Sequence, residues 1–343
     1  MKRAALIILG VVAVLALAFS SFAAGEPVKL GLGHVTSIAK SQGLTVDASG
    51  KANPPMAQVD SVIAAVAFDK DGRIVHVNLD TAQTKVNFNR DWTISTDISA
   101  PGQTKKELGD AYGMRRASSI GKEWFEQIAE FEKWMIGKTV DEVKALKVKA
   151  RDAAHPAVPD VPELTSSVTI TVQDYIAAVE KAWENAVPVN GGGKTLGLGH
   201  DISLASSKPA APQVDATIAA ALFDGEGKVV GVILDVIQSK IPYNTQTNQL
   251  AVDPEAPVLS KKELKDDYGM KRASGIGKES YEQAAELEKW MIGKTAAEIQ
   301  GLKVKQRDAS HVAVPDVPEL TSLVTITVEK YLAALGEAYN TAK

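Results

Sequence analysis

The chain has 343 residues and no cysteine. That absence excludes disulfides, thiolate metal sites, iron–sulfur clusters and CxxCH haem attachment. It also excludes a lipid anchor of the kind that needs a cysteine at its cleavage site. Any redox chemistry must therefore come from a borrowed cofactor. A surplus of positive charge is missing as well, since 38 Lys and Arg face 42 Asp and Glu for a formal charge of -4. Nucleic-acid proteins normally carry a basic face, so no nucleic acid is expected as a partner. No low-complexity block occurs, which argues against long disorder. No Ser/His/Asp order or paired-carboxylate arrangement stands out, which argues against a hydrolase.

What is present begins with a different material. "MKRAALIILGVVAVLALAFSSFAAGEP" sets Lys2 and Arg3 before an apolar stretch and then small residues, the order of a secretory signal. Cleavage after Ala23 would leave Ser21 and Ala23 at the two small-residue positions. The stretch from Ala4 to Ala24 also approaches the ~20 residues that cross a bilayer. Residues 1–24 thus read as a signal peptide or as an anchor. Either reading puts the rest of the chain outside the cytoplasm, secreted or held at the outer face of the membrane. Membrane association is expected only through this N-terminus.

The remainder repeats itself. "LGLGH" occupies residues 30–34 and 196–200, "EKWMIGKT" 132–139 and 288–295, and "AVPDVPELTS" 157–166 and 313–322. From Tyr112 and Tyr268 onward the offset is 156, against 166 near the start, because the first copy has a longer loop within "QGLTVDASGKANPP". So long a period indicates tandem domains, not a solenoid. The expected boundaries are 28–187 and 195–343, with the Pro- and Gly-rich stretch at 188–194 as linker. Each copy is long enough for a core of its own.

Each copy spells the same elements. Alternating segments flank an Asp-Gly or Glu-Gly turn ("AAVAFDKDGRIVHV", "AAALFDGEGKVVGV"), the pattern of a hairpin. A helix follows, with Phe125, Ile128, Phe131, Trp134 and Met135 at helical spacing and Gly137 as a stop. Thr139 with Glu142, and Thr295 with Glu298, spell capping boxes. Strands linked as hairpins, with helices to one side, give an α+β fold with an antiparallel sheet and flanking helices.

One segment has no such simple account. "PELTSSVTITVQDY" and "PELTSLVTITVEKY" each set a hydroxyl-rich run before a helix. A helix N-terminus offers unpaired N–H groups and partial positive charge, a seat for phosphate. The hydroxyls there can bind an anion, carry a phosphoester, or simply cap the helix, with Thr171 as N-cap.

The whole run resembles the FMN-binding domain family whose flavin is joined to threonine by a phosphoester. That family includes subunits of Na⁺-pumping NADH:quinone reductases and Rnf complexes, and the flavinylated proteins of extracellular electron transfer. Its motif runs acidic, two variable residues, Ser/Thr, Gly, Ala, Ser/Thr. On this chain Glu163, Ser166 and Thr169 match the acidic, hydroxyl and attachment positions, as do Glu319, Ser322 and Thr325. Ser167 and Leu323 stand in place of Gly, and Val168 and Val324 in place of Ala. The resemblance implies up to two covalent FMN groups, on Thr169 and Thr325. It implies an electron carrier rather than a stand-alone enzyme, itself the substrate of an FMN transferase that uses FAD and a divalent metal. A membrane quinol or flavin oxidoreductase would supply electrons, and an extracellular acceptor or partner reductase would take them.

Other recurring residues are candidates for the flavin's surroundings. Tyr112 and Met114, with Tyr268 and Met270, sit in a "YGM" loop where they could lie against a flavin ring or pack at the helix start. Arg115, Arg116, Lys271 and Arg272 could steady a reduced flavin or form a solvated face. Trp134 and Trp290 lie on an apolar stripe and are expected in the core. Gly33 with His34, and Gly199 with His200, would allow close backbone approach to a ligand. His155 and His311 also recur, but no His-x₃-His spacing or acidic cluster accompanies them, so no metal site is expected. The rival reading is a cofactor-free tandem-repeat module that binds a ligand or partner at the cell surface.

Overall fold

Lys29–Ser37 (β1), Met56–Phe68 (β2) and Ile74–Asn87 (β3) form an antiparallel sheet of order β3-β2-β1. The protein is described by a computed structural model covering residues 26–189 and 191–343. The expected signal or anchor over residues 1–24 lies outside the described residues. The β2–β3 hairpin turns where the sequence predicts. The Asp69 carboxylate accepts from the N–H groups of Asp71 and Arg73, both at 2.9 Å, and Gly72 supplies a φ of 74°. Asp224 and Gly227 build the same turn in the second half.

That half follows the same order, with Thr195–Ser203 (β4), Gln213–Phe223 (β5) and Val229–Lys240 (β6) arranged β6-β5-β4. Its helices are also paired with those of the first half. Trp124–Met135 (α1), Val140–Lys144 (α2) and Gln173–Glu184 (α3) correspond to Ser280–Met291 (α4), Ala296–Gln300 (α5) and Glu329–Asn340 (α6). Thr139 and Thr295 cap α2 and α5 through the capping boxes the sequence spells, and Gly137 follows the end of α1 with a φ of 82°. The chain is therefore α+β with antiparallel sheets.

The central strands are buried on both faces. Along β2, Val62, Ala64, Val66 and Phe68 point to α1 and α3, whereas Ile63, Ala65 and Ala67 point to the opposite sheet. Along β5, Ala219, Ala221 and Phe223 meet the helices of the second half, and Ile218, Ala220 and Leu222 face back toward the first. The layers run helices, sheet, sheet, helices. Each half has a core of its own between its sheet and its helices, as its length allows, and a further core is shared between the two sheets. Leu30, Ile63, Leu196 and Ile237 meet within it. Each such side chain contributes about 2 kcal/mol of burial, so the halves cannot separate without large loss. Tyr243 adds to the join, its ring 5.1 Å from that of Trp92 and its hydroxyl donating to the Met56 carbonyl at 2.9 Å.

Pro188 and Val189, at the start of the stretch predicted as a linker, are also built into this join. Val187 and Pro188 pair with the outer edge of β1, and Val189 packs on the shared core.

Strand β3 is an edge, and an edge with free N–H groups invites pairing. Here Glu132 of α1 accepts from the Leu79 N–H at 2.7 Å and from Lys106 Nζ at 2.7 Å. Glu288 does the same for Leu234 and Lys262. A buried carboxylate of this kind is tolerated because it is both paired and hydrogen-bonded.

Candidate functional site

The threonine run is a chain of turns held down by apolar anchors. Leu164 and Val168 are buried, while Glu163 just before them and Ser166 between them stand exposed. Thr169 then emerges half-buried, and its polar groups are held from two sides. Gln127, buried in α1, accepts from the Thr169 N–H at 2.8 Å and from its hydroxyl at 3.2 Å, both through Oε1. Arg151 donates to the Thr169 carbonyl at 2.9 Å.

The second half reproduces this frame. Gln283 accepts from the Thr325 N–H at 2.8 Å and from its hydroxyl at 3.3 Å, and Arg307 donates to its carbonyl at 3.1 Å. Glu319 and Ser322 are exposed as their counterparts are.

Arg151 is itself braced. It pairs with Asp152 at 3.1 Å, and His155 reaches the same carboxylate at 2.7 Å. The hydrogen bond from His155, then that from Arg151, hold the Asp152 pKa down at about 2. His311 and Arg307 treat Asp308 likewise, also to about 2. These histidines thus stabilise a turn beside the threonine. Among the described residues no cluster of three or more His, Asp or Glu is placed to hold a metal ion.

The helix start differs from the sequence expectation. Thr171 is not the N-cap of α3. That position falls on Val172, which makes no side-chain cap bond, and the Thr171 hydroxyl is buried without a partner, as is that of Thr327. Thr169 donates to Gln127 and accepts from Arg151, and is not held by the helix N-terminus. The positions where the family has Gly are also informative. Neither Ser167 nor Leu323 has a positive φ, so the backbone makes no demand for glycine there. Leu323 leans on the core of its own half.

The "YGM" loops join the site indirectly. Gln127 Nε2 donates to Ser118 Oγ at 3.2 Å and to the Lys122 carbonyl at 3.3 Å, so one amide ties this loop to the threonine. Tyr112 and Met114 are half-buried on the helix core, and Lys105 sits 4.8 Å above the Tyr112 ring. Tyr268 carries Lys261 at the same distance, and the Met270 N–H donates to Glu279 at 2.9 Å. Arg115 is engaged by Asp110 and Glu126, each at 2.9 Å. Trp134 packs against Phe131, ring to ring at 5.9 Å.

The glycine–histidine pairs lie elsewhere and do other work. A Cβ on Gly33 would stand 2.2 Å from the Ala178 carbonyl oxygen of α3, and one on Gly199 would stand 2.0 Å from that of Ala334 in α6. The close approach they permit is that of a helix, not of a ligand. His34 is buried and reaches Thr36 at 3.0 Å and Glu263 of the second half at 2.8 Å. His200 is buried 3.6 Å from Glu337. Neither histidine bonds to any member of the threonine frame.

Sequence reasoning passed over Gln127, Gln283, Arg151 and Arg307. A signal for each was present. The glutamines interrupt a buried helical stripe at the same place in "EWFEQIAE" and "ESYEQAAE", and "RDAAH" and "RDASH" keep the arginines.

No protein-family model matches the chain, and no solved structure matches it. Among curated proteins, a chlorophenol reductase of Desulfitobacterium hafniense is 37% identical over 100 residues, 26% of this chain and 31% of that protein. The chain thus spans about a third of the length of that relative.

Proposed function

We propose that the protein is an extracytoplasmic electron-transfer flavoprotein, a tandem pair of FMN-binding domains carrying FMN as phosphoesters on Thr169 and Thr325. The observation that carries this reading is the duplicated frame, in which a buried glutamine and a braced arginine hold each of these two threonines. A capping or surface threonine needs no such support.

The residues present fit the group. Thr169 is only partly buried, which leaves it a face open to an enzyme. Esterification removes its O–H donor, yet Gln127 Oε1 keeps the Thr169 N–H at 2.8 Å and is not orphaned. When bound, the isoalloxazine ring supplies one- or two-electron chemistry that no side chain of a cysteine-free chain offers. Thr169 and Thr325 would hold the phosphate, Gln127 and Gln283 would keep the threonine N–H groups, and Arg151 and Arg307 would fix their carbonyls. A covalent tether suits a protein outside the cell, where a dissociable flavin is lost by dilution.

In this reading an FMN transferase loads the chain from FAD. A membrane quinol or flavin oxidoreductase donates electrons, and an extracellular acceptor or partner reductase removes them. The chlorophenol reductase it partly resembles bears the name of a reductase, and reduction consumes electrons. The cofactor-free ligand-binding alternative has one observation in its favour. A cavity of about 360 Å³ opens at the join of the halves beside His34, Asp235, Lys262 and Glu263.

Expression with its N-terminus intact, alongside an FMN transferase, separates the two. Yellow fluorescence that stays with the band on a denaturing gel supports the carrier. A colourless band under those conditions supports the binding module.

A further inference from the structure

We propose that Gln127 and Gln283 are positioning residues that present the hydroxyl oxygens of Thr169 and Thr325 for esterification, an inference that rests on the flavin-attachment reading above. Both glutamines are fully buried on helix faces that are otherwise mostly apolar. A buried amide is costly unless its groups are used, and here both ends are.

The orientation of the amide follows from its neighbours. The Thr169 N–H can only donate, so the atom facing it at 2.8 Å must be oxygen. The Lys122 carbonyl can only accept, so the atom facing it at 3.3 Å must be nitrogen. Gln283 is fixed in the same way by the Thr325 N–H at 2.8 Å and the Lys278 carbonyl at 3.3 Å.

With Oε1 so placed, the threonine O–H points inward to it and the lone pairs of Oγ point away. A β-branched side chain has few staggered wells, and this bond selects one of them. An amide is no base, so the glutamine holds the hydroxyl without taking its proton. In the step it prepares, Thr169 Oγ bonds to the FMN-side phosphorus of FAD. The bond from that phosphorus to the bridging oxygen breaks and AMP leaves with that oxygen. The hydroxyl proton passes to a base of the transferase. Oxidation states do not change.

The two halves provide an internal reference. Purified full-length protein is incubated with FAD, a divalent metal and the transferase, and site occupancy is followed by peptide mass. Gln127→Leu is expected to slow labelling at Thr169 by about tenfold to a hundredfold, as a kcat effect with KM unchanged. Thr325 should label at the wild-type rate. Gln127→Glu, assayed at a pH that keeps the buried carboxyl protonated, presents an acceptor oxygen to Thr169 and an O–H to the Lys122 carbonyl. It should restore most of the Thr169 rate, and it decides the matter if Gln127→Leu does not fold. Equal slowing at both sites, a pure KM effect, or a wild-type Thr169 rate in Gln127→Leu overturns the proposal while leaving attachment intact. So does loss of labelling in folded Gln127→Glu. No label at either site of the wild-type chain instead overturns the attachment reading itself, and this proposal with it.

Discussion

His34 of the first half meets Glu263 of the second at 2.8 Å, and Lys181 reaches the other oxygen of the same carboxylate at 2.8 Å. Burial alone would raise the Glu263 pKa. The hydrogen bond and charge of His34, with the bond from Lys181, more than offset this and hold it at about 2. A carboxyl lowered on folding adds stability above its unfolded value of 4.5, and that contribution is lost as pH falls toward about 2. Glu263→Gln should therefore cost about 2 kcal/mol at neutral pH and much less near pH 2. Urea unfolding at both pH values checks this, and an equal loss at both would contradict it.

The matching position in the other half behaves differently. Glu337 replaces the lysine, so His200 lies among carboxylates. Burial pulls the His200 pKa down, but Glu337, then Asp80 and Glu107, raise it above the ordinary 6.5. A base raised on folding adds stability below 6.5, and that contribution is lost as pH rises through its folded value. NMR titration of the imidazole should place its midpoint above 6.5, and a midpoint below would show that desolvation wins.

Gly33→Ala tests the reassigned glycines. Its Cβ would stand 2.2 Å from a helix carbonyl, so a loss of at least about 3 kcal/mol is expected. Gly225→Ala, with open space around it, should stay within about 0.5 kcal/mol. Thermal unfolding of the pair compares them. Similar stabilities would mean that α3 does not press on β1.

Leu323→Gly asks whether the residue at the family's glycine position obstructs the second site. Its backbone has no positive φ and its side chain leans on the core. The variant should lose about 1–2 kcal/mol and label at Thr325 no faster than wild type. Faster labelling would show that the leucine stands in the way.

The hairpins, the helix stripe and the capping boxes were legible because each is a local pattern. Asp69 and Gly72 define a turn within a few residues, and Thr139 with Glu142 caps a helix within four. The shared core was not legible. Nothing in "SVIAAVAF" says that alternate residues face two different cores, because both faces are apolar. For the same reason Gly33 read as a possible ligand contact. Its partner, Ala178, lies far along the chain, and only the fold brings the helix against it. The threonine run was visible as an anomaly, but its support from Gln127 and Arg151 needed three separate segments to meet.

The central claim is a phosphoester on each of two threonines, and intact mass after denaturation tests it most directly. Matured wild-type protein should retain the mass of two dehydrated FMN groups in urea, Thr169→Ala and Thr325→Ala one each, and the double variant none. An unmodified wild-type mass, or a flavin count unchanged by either substitution, would contradict the account.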